Sequence, residues 1–280
     1  MNRAVRVACW AAWPVGLVLI LAHTMGELFS WPVFAVLDAL YAAGVFLLVR
    51  ALRGSRDRIA AALVLAGPGV FALAGLTGVP TAQRPEAMLL NALVLLAAAV
   101  TLVVAAVRLA LRAGSAGRTP AMLAVVAVVV GSTGYLANLL ARWAVVASGA
   151  SGLQAAVEES AWFASEYLPG LPGEPTYLVF LLVWLDLLQL AYVVATYVGF
   201  GALAVALGRS GAVSARVACG VGVAGSVLAA LVLVGGALAG VVPGAAETAF
   251  VLTIPFMSTL VPYVLGIGLL RAPRTAYVPV

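Results

Sequence analysis

The sequence predicts an all-α integral membrane protein, a bundle of about eight transmembrane helices with both termini cytoplasmic. Three observations predict it. Of 280 residues, 65% are hydrophobic and 9% charged, against about 25% charged in a water-soluble domain. Eight apolar stretches each approach or exceed the roughly twenty residues that cross a hydrocarbon core of about 30 Å at about 1.5 Å per residue. Arginines and acids also segregate to alternate connections between those stretches, as basic loops that resist translocation do. A transmembrane barrel would instead alternate in polarity over runs of about ten residues.

The first segment, Val7 to Gly26, follows Arg3 and Arg6 like a signal sequence. Leu21-Ala22-His23-Thr24 lacks a small-x-small cleavage site, so the segment is read as a retained anchor. The second, Trp31 to Val49, carries Asp38 and Tyr41 and ends on Arg50, with Arg53, Arg56 and Arg58 following. The third, Ile59 to Val79, is interrupted by Gly67-Pro68-Gly69. The fourth, Ala87 to Val107, leads to Arg108, Arg112 and Arg118. The fifth, Ala121 to Val146, places Gly134, Asn138 and Arg142 in line at four-residue spacing.

The sixth segment, Tyr177 to Leu207, ends before Arg209 and Arg216. The seventh, Val217 to Val242, is rich in glycine, including the pair Gly236 and Gly240, and predicts a close-packing surface. That surface is expected to hold the helix at the bundle centre or to join a homodimer or partner subunit. The eighth, Thr248 to Leu270, has Pro255 and Pro262 bracketing Ser258 and Thr259, and Arg271 and Arg274 follow it. The opposite connections carry Glu27, Glu86, Glu158, Glu159, Glu166, Glu174 and Glu247, with Arg84 and Arg142.

One connection is long, from about Ala147 to Thr176. Leu153, Val157, Ala161 and Trp162 recur in it at helical spacing, which predicts one amphipathic outer-loop helix on the membrane surface. The whole chain, 1–280, reads as a single transmembrane domain. Asp38 lies nine residues after Phe29 and Asp186 nine after Tyr177, each on the second helix of its half. A parallel duplication of 1–118 and 119–280 follows from that spacing, because an even number of helices per unit preserves direction through the membrane.

A charge of +5 raises the question of nucleic acid. Here the basic residues flank membrane spans, so no nucleic-acid partner is expected; the partner is the lipid bilayer. All fifteen basic residues are arginine. The absence of lysine beside abundant alanine, valine, glycine and leucine points to a GC-rich bacterial genome and a bacterial plasma membrane. Without lysine there is no phosphate-binding loop of the usual kind. Cys9 and Cys219 fall near cytoplasmic helix ends, so no disulfide is expected.

The acids inside the apolar segments are the best pointers to chemistry, because an aspartate at the bilayer centre costs about 3 kcal/mol on insertion scales. Nine residues place Asp38 and Asp186 each about 13 Å below the outer boundary, near the midplane. Asp186, Gln189, Thr196 and Tyr197 share a sector of about 100° on the sixth helix. Tyr41, three residues beyond Asp38, shares its face. Asp38, Tyr41, Asn138, Asp186, Gln189 and Tyr197 therefore form the candidate substrate-binding set. A carboxyl kept from water favours its neutral form, which can donate a proton. The alternative for each aspartate is structural, a hydrogen bond across helices worth about 1 kcal/mol.

His23 and Glu27, four apart, share a face, and Glu86 or Asp38 could add an oxygen. Zinc sites draw on more nitrogen or sulfur, so neither a metal site nor any other cofactor is expected. Three functions compete. A permease-like carrier of a small or lipophilic solute would use Asp38 and Asp186 as anchors. A non-catalytic membrane subunit or scaffold would use the polar groups for packing. An intramembrane enzyme acting on an isoprenoid or lipid would use Asp186 or Asp38 as acid, with the rings of Trp184, Tyr192 and Tyr197 facing a cationic intermediate.

Overall fold

The computed structural model describes residues 3–24, 31–52, 58–77, 85–147, 176–238, 241–242, 245 and 257–271. Among these the chain is all-helical. The helices are α1 (Arg3–Thr24), α2 (Trp31–Leu52), α3 (Arg58–Thr77), α4 (Pro85–Leu111), α5 (Gly114–Ala147), α6 (Thr176–Arg209), α7 (Ala215–Leu238) and α8 (Met257–Arg271). Four of them, α2, α5, α6 and α7, are long and apolar enough to cross a membrane. The chain is a helical membrane protein. The predicted outer-loop helix falls in 148–175, outside the described residues.

The surface is what lipid demands. Val36, Leu40, Phe46, Val126, Val130, Leu187, Val223 and Val234 are all exposed. Hydroxyls on exposed faces are satisfied within their own helix: Thr101, Thr133 and Ser226 each donate to the carbonyl four residues back, at 2.8, 2.9 and 2.9 Å. In hydrocarbon an unsatisfied polar group costs several kcal/mol, so back-bonding lets these residues face outward.

Two tight turns fix neighbouring helices antiparallel. Gly114, with φ 61, follows the end of α4, and Gly211, with φ 75, follows α6. Gly211 can take this left-handed conformation because it lacks a Cβ. The amides of Gly211 and Ala212 then bond the carbonyls of Gly208 and Leu207 at 3.1 and 2.9 Å, closing α6. Ser214 starts α7 as its cap, its Oγ accepting from the Val217 amide at 3.3 Å.

Small residues set the closest approaches. A Cβ on Gly117 would lie 2.6 Å from the Ala206 carbonyl oxygen, one on Gly131 2.7 Å from the Ala195 Cβ, and one on Gly225 2.8 Å from the Tyr197 oxygen. These contacts weld α5 and α7 to opposite flanks of α6. Gly222, Gly225 and Gly236 of the glycine-rich helix thus face α6 within the chain, whereas Gly220 faces open space. Gly240 lies outside the described residues.

On the other side of the molecule α3 and α8 pair as closely. A Cβ on Gly266 would meet the Val64 nitrogen at 2.8 Å and the Ala60 oxygen at 2.9 Å. The two groups meet through one apolar core, which joins Ile59, Leu63 and Leu265 to Tyr197, Phe200, Leu203 and Val221. Gly268 of α8 also packs on Val217 of α7. Helix directions alternate throughout. As a result the described residues Arg3, Arg6, Arg50, Arg58, Arg108, Arg112, Arg118, Arg209, Arg216 and Arg271 all lie at one end, and all are exposed. The start of α1 meets the end of α8 there, with the Arg271 guanidinium 5.1 Å from the centre of the Trp10 ring.

Two expectations change. The third segment is not broken at Gly67-Pro68-Gly69, because α3 runs through Pro68. A lost N–H and a bent helix are tolerated where neighbouring helices pack tightly around them. The two aspartates do not share a depth. Asp38 is twelve residues from Arg50, about 18 Å from the arginine end, whereas Asp186 is 23 residues from Arg209, about 34 Å. The equal spacing from segment starts misleads because α6, at 34 residues, is far longer than α2, at 22.

Candidate functional site

The structure divides the predicted site residues into two groups. Asp38 and Tyr41 belong to the first, on α2 where it packs against α1 and α3. Asp38 is 1% exposed, since its face of α2 turns inward while Val36, Leu40 and Phe46 turn out. One turn on, the Tyr41 hydroxyl donates to the Ala12 carbonyl of α1 at 2.6 Å. Beside that carbonyl the Trp13 Nε1–H donates to Thr259 Oγ1 of α8 at 2.9 Å. Gly67 of α3 allows the meeting, because a Cβ there would lie 2.9 Å from the Thr259 Cβ and 3.5 Å from Trp13 Cδ1.

Three of the four helices around this point carry a proline beyond their first turn: Pro14 in α1, Pro68 in α3 and Pro262 in α8. Measured from Arg6, Arg58 and Arg271, they stand about 12, 15 and 14 Å from the arginine end. Asp38, at about 18 Å, is at nearly the same level. Each proline removes a helical donor, so the carbonyls of Trp10, Val64 and Ser258 lose their usual partner. At one level of the bundle, three proline-containing helices and a buried carboxyl therefore come close together. Tyr263, 1% exposed, adds a buried hydroxyl beside the Trp13 backbone.

Asp186, Asn138 and Gln189 make the second group, toward the other end. Asp186 is 2% exposed, and Asn138 1%. The Asn138 Nδ2 donates to the Leu185 carbonyl at 2.5 Å, the peptide that precedes Asp186. Phe180, Trp184, Leu187 and Val198 mark the outward side of α6. Asp186 lies opposite, in register with Val193, Phe200 and Ala204, on the side that packs on α4 and α8 further along. Tyr135 stacks on Tyr192, with ring centroids 4.3 Å apart and planes 16° from parallel. Gln189 is half-buried.

The polar positions predicted for the sixth helix are spread along its axis. Tyr197 is eleven residues from Asp186, about 16 Å along the axis, and is fully buried in the central apolar core. Thr196 satisfies itself on the Tyr192 carbonyl at 2.8 Å. The His23, Glu86 and Arg142 side chains, and Glu27 entirely, lie outside the described residues. Trp13, Pro14 and Tyr135 join the groups without having been singled out. Pro14 within an apolar segment, and Tyr135 three residues before Asn138, were the available signals.

Chemically, the first group offers a carboxyl, two phenolic hydroxyls, a threonine hydroxyl and an indole N–H in a dry setting. The second offers a carboxyl, two amides and a pair of stacked rings. Among the described residues no group of three metal-ligating side chains occurs. No family model, curated protein or solved structure matches the chain.

Proposed function

We propose that the protein is a permease-like carrier of a small or lipophilic solute, with eight spans, in a bacterial plasma membrane. On this reading both termini are cytoplasmic and the arginine end is the cytoplasmic one, following the positive-inside rule. The observation that carries it is Asp38, buried half-way across the bundle where α1, α3 and α8 each contain a proline. Carriers bind substrate near the midplane between helices whose regular bonding is interrupted. Asp38 and Tyr41 anchor the solute at that level. Asp186, Asn138 and Gln189, nearer the opposite end, form its polar entry.

The test is a thermal-shift screen of the purified protein in nanodiscs against small amphiphiles, followed by uptake of the hits into proteoliposomes. Uptake at least tenfold lower in Asp38→Asn, at an unchanged melting temperature, supports the carrier. Equal uptake in both proteins removes it. A second reading, a non-catalytic scaffold, draws on the glycine-mediated packing of α5, α6 and α7, which makes a rigid platform. It gains if the screen yields no binder and a second membrane protein co-purifies in mild detergent.

A further inference from the structure

We infer that the arginine end, at the junction of α4, α5, α6 and α7, binds the phosphate headgroups of anionic phospholipids. Of the connections at this end, that between α4 and α5 carries three arginines and that between α6 and α7 two, each fewer than the four to eight that mark lipid recognition. The fold brings the two together. Gly117 seats the first turns of α5 directly on the Ala206 carbonyl of α6. Gly208 seats the end of α6 on Ala218 of α7, where a Cβ would come within 2.5 Å of the Ala218 Cβ. Arg108, Arg112, Arg118, Arg209 and Arg216, all exposed, thereby come from neighbouring helix ends.

The described carboxylates Asp38 and Asp186 stand about 18 and 34 Å from this end, and Asp57, between α2 and α3, lies outside the described residues. Like charges held together by backbone packing repel, and a bound anion relieves that repulsion. The planar guanidinium fork matches phosphate oxygens two at a time. The anion is part of a lipid because the patch borders apolar surface. Leu111, Met122 and Leu123, beside Arg112 and Arg118, are 78, 60 and 52% exposed, where acyl chains would run. This inference stands independently of the carrier reading.

The experiment compares the purified protein in nanodiscs of phosphatidylcholine alone and of phosphatidylcholine mixed with phosphatidylglycerol, by native mass spectrometry and thermal melting. At about 1 kcal/mol per arginine, the wild type should retain phosphatidylglycerol over phosphatidylcholine by roughly tenfold or more and melt higher in the mixed discs. Arg112→Gln with Arg118→Gln and Arg209→Gln should lose both effects, while Arg3→Gln with Arg6→Gln keeps them. Equal retention of the two lipids by the wild type overturns the inference, as does an unchanged preference in the triple variant. If inorganic phosphate raises melting in zwitterionic discs as much as phosphatidylglycerol does, the site takes free phosphate and the lipid assignment fails. Should the glutamine variant not fold, the same three positions changed to lysine are read instead. A reduced preference there supports the guanidinium fork, and an unchanged one rules it out.

Discussion

Trp13 and Asn138 show what single polar side chains do in this bundle. Each sends an N–H across to another helix, Trp13 to Thr259 and Asn138 to the Leu185 carbonyl. Such bonds in membrane proteins contribute about 0.6 to 2 kcal/mol. Trp13→Phe and Thr259→Val should each lower the melting temperature. A double-mutant cycle should give a coupling of about 1 kcal/mol, and strict additivity would show that the bond contributes nothing. The glycines give a sharper contrast. Gly225→Ala drives a Cβ to 2.8 Å from the Tyr197 oxygen and should cost about 1–3 kcal/mol, whereas Gly220→Ala meets open space and should be neutral or gain up to about 1 kcal/mol. Equal melting shifts for the two would refute the packing described for α7. Which glycines are crowded was not legible in the sequence, because Gly220, Gly222 and Gly225 read alike until α6 is placed.

At the scale of the element, length separates the helices more than hydrophobicity does. At 34 residues, α5 and α6 run about 51 Å, well beyond a hydrocarbon core of about 30 Å. Their ends opposite the arginines must tilt or stand in the headgroup layer, where the half-exposed Trp143 and Trp184 would sit. Cysteine placed at Trp143 or Trp184 should react with a membrane-impermeant maleimide from the face opposite to cysteine placed at Ser115, in the exposed turn after α4. Labelling of all three from one face would contradict the alternating directions. The existence of these helices was plain from their composition. The start of α5, seven residues before the segment that predicts it, was not, but the sixth segment, Tyr177 to Leu207, was legibly longer than the second, and measuring from segment starts alone placed Asp38 and Asp186 at equal depth when they differ by about 16 Å. Proline likewise announced a break in α3, yet the helix runs on through Pro68.

Across the whole molecule, the sorting of arginines to alternate connections was legible directly, and every described arginine at a helix end on that side obeys it. The grouping of site residues was not, because it depends on which helices are neighbours. Asp38 sits on α2, which meets α1 and α3, while Asn138 of α5 bonds the peptide before Asp186, and helix adjacency leaves no periodic mark in a chain of alanine, valine and leucine. A carrier working at Asp38 should therefore tolerate Asn138→Leu with a modest stability loss of about 1 kcal/mol and retained uptake at saturating solute, whereas Asp38→Asn should abolish uptake at any concentration. Loss of both to the same extent would argue for one continuous site. The stacking of Arg271 on Trp10 has a topological meaning as well: it ties the end of the last described helix to the start of the first. Donor and acceptor dyes attached near the start of α1 and the end of α8 should therefore exchange excitation energy efficiently within a single chain.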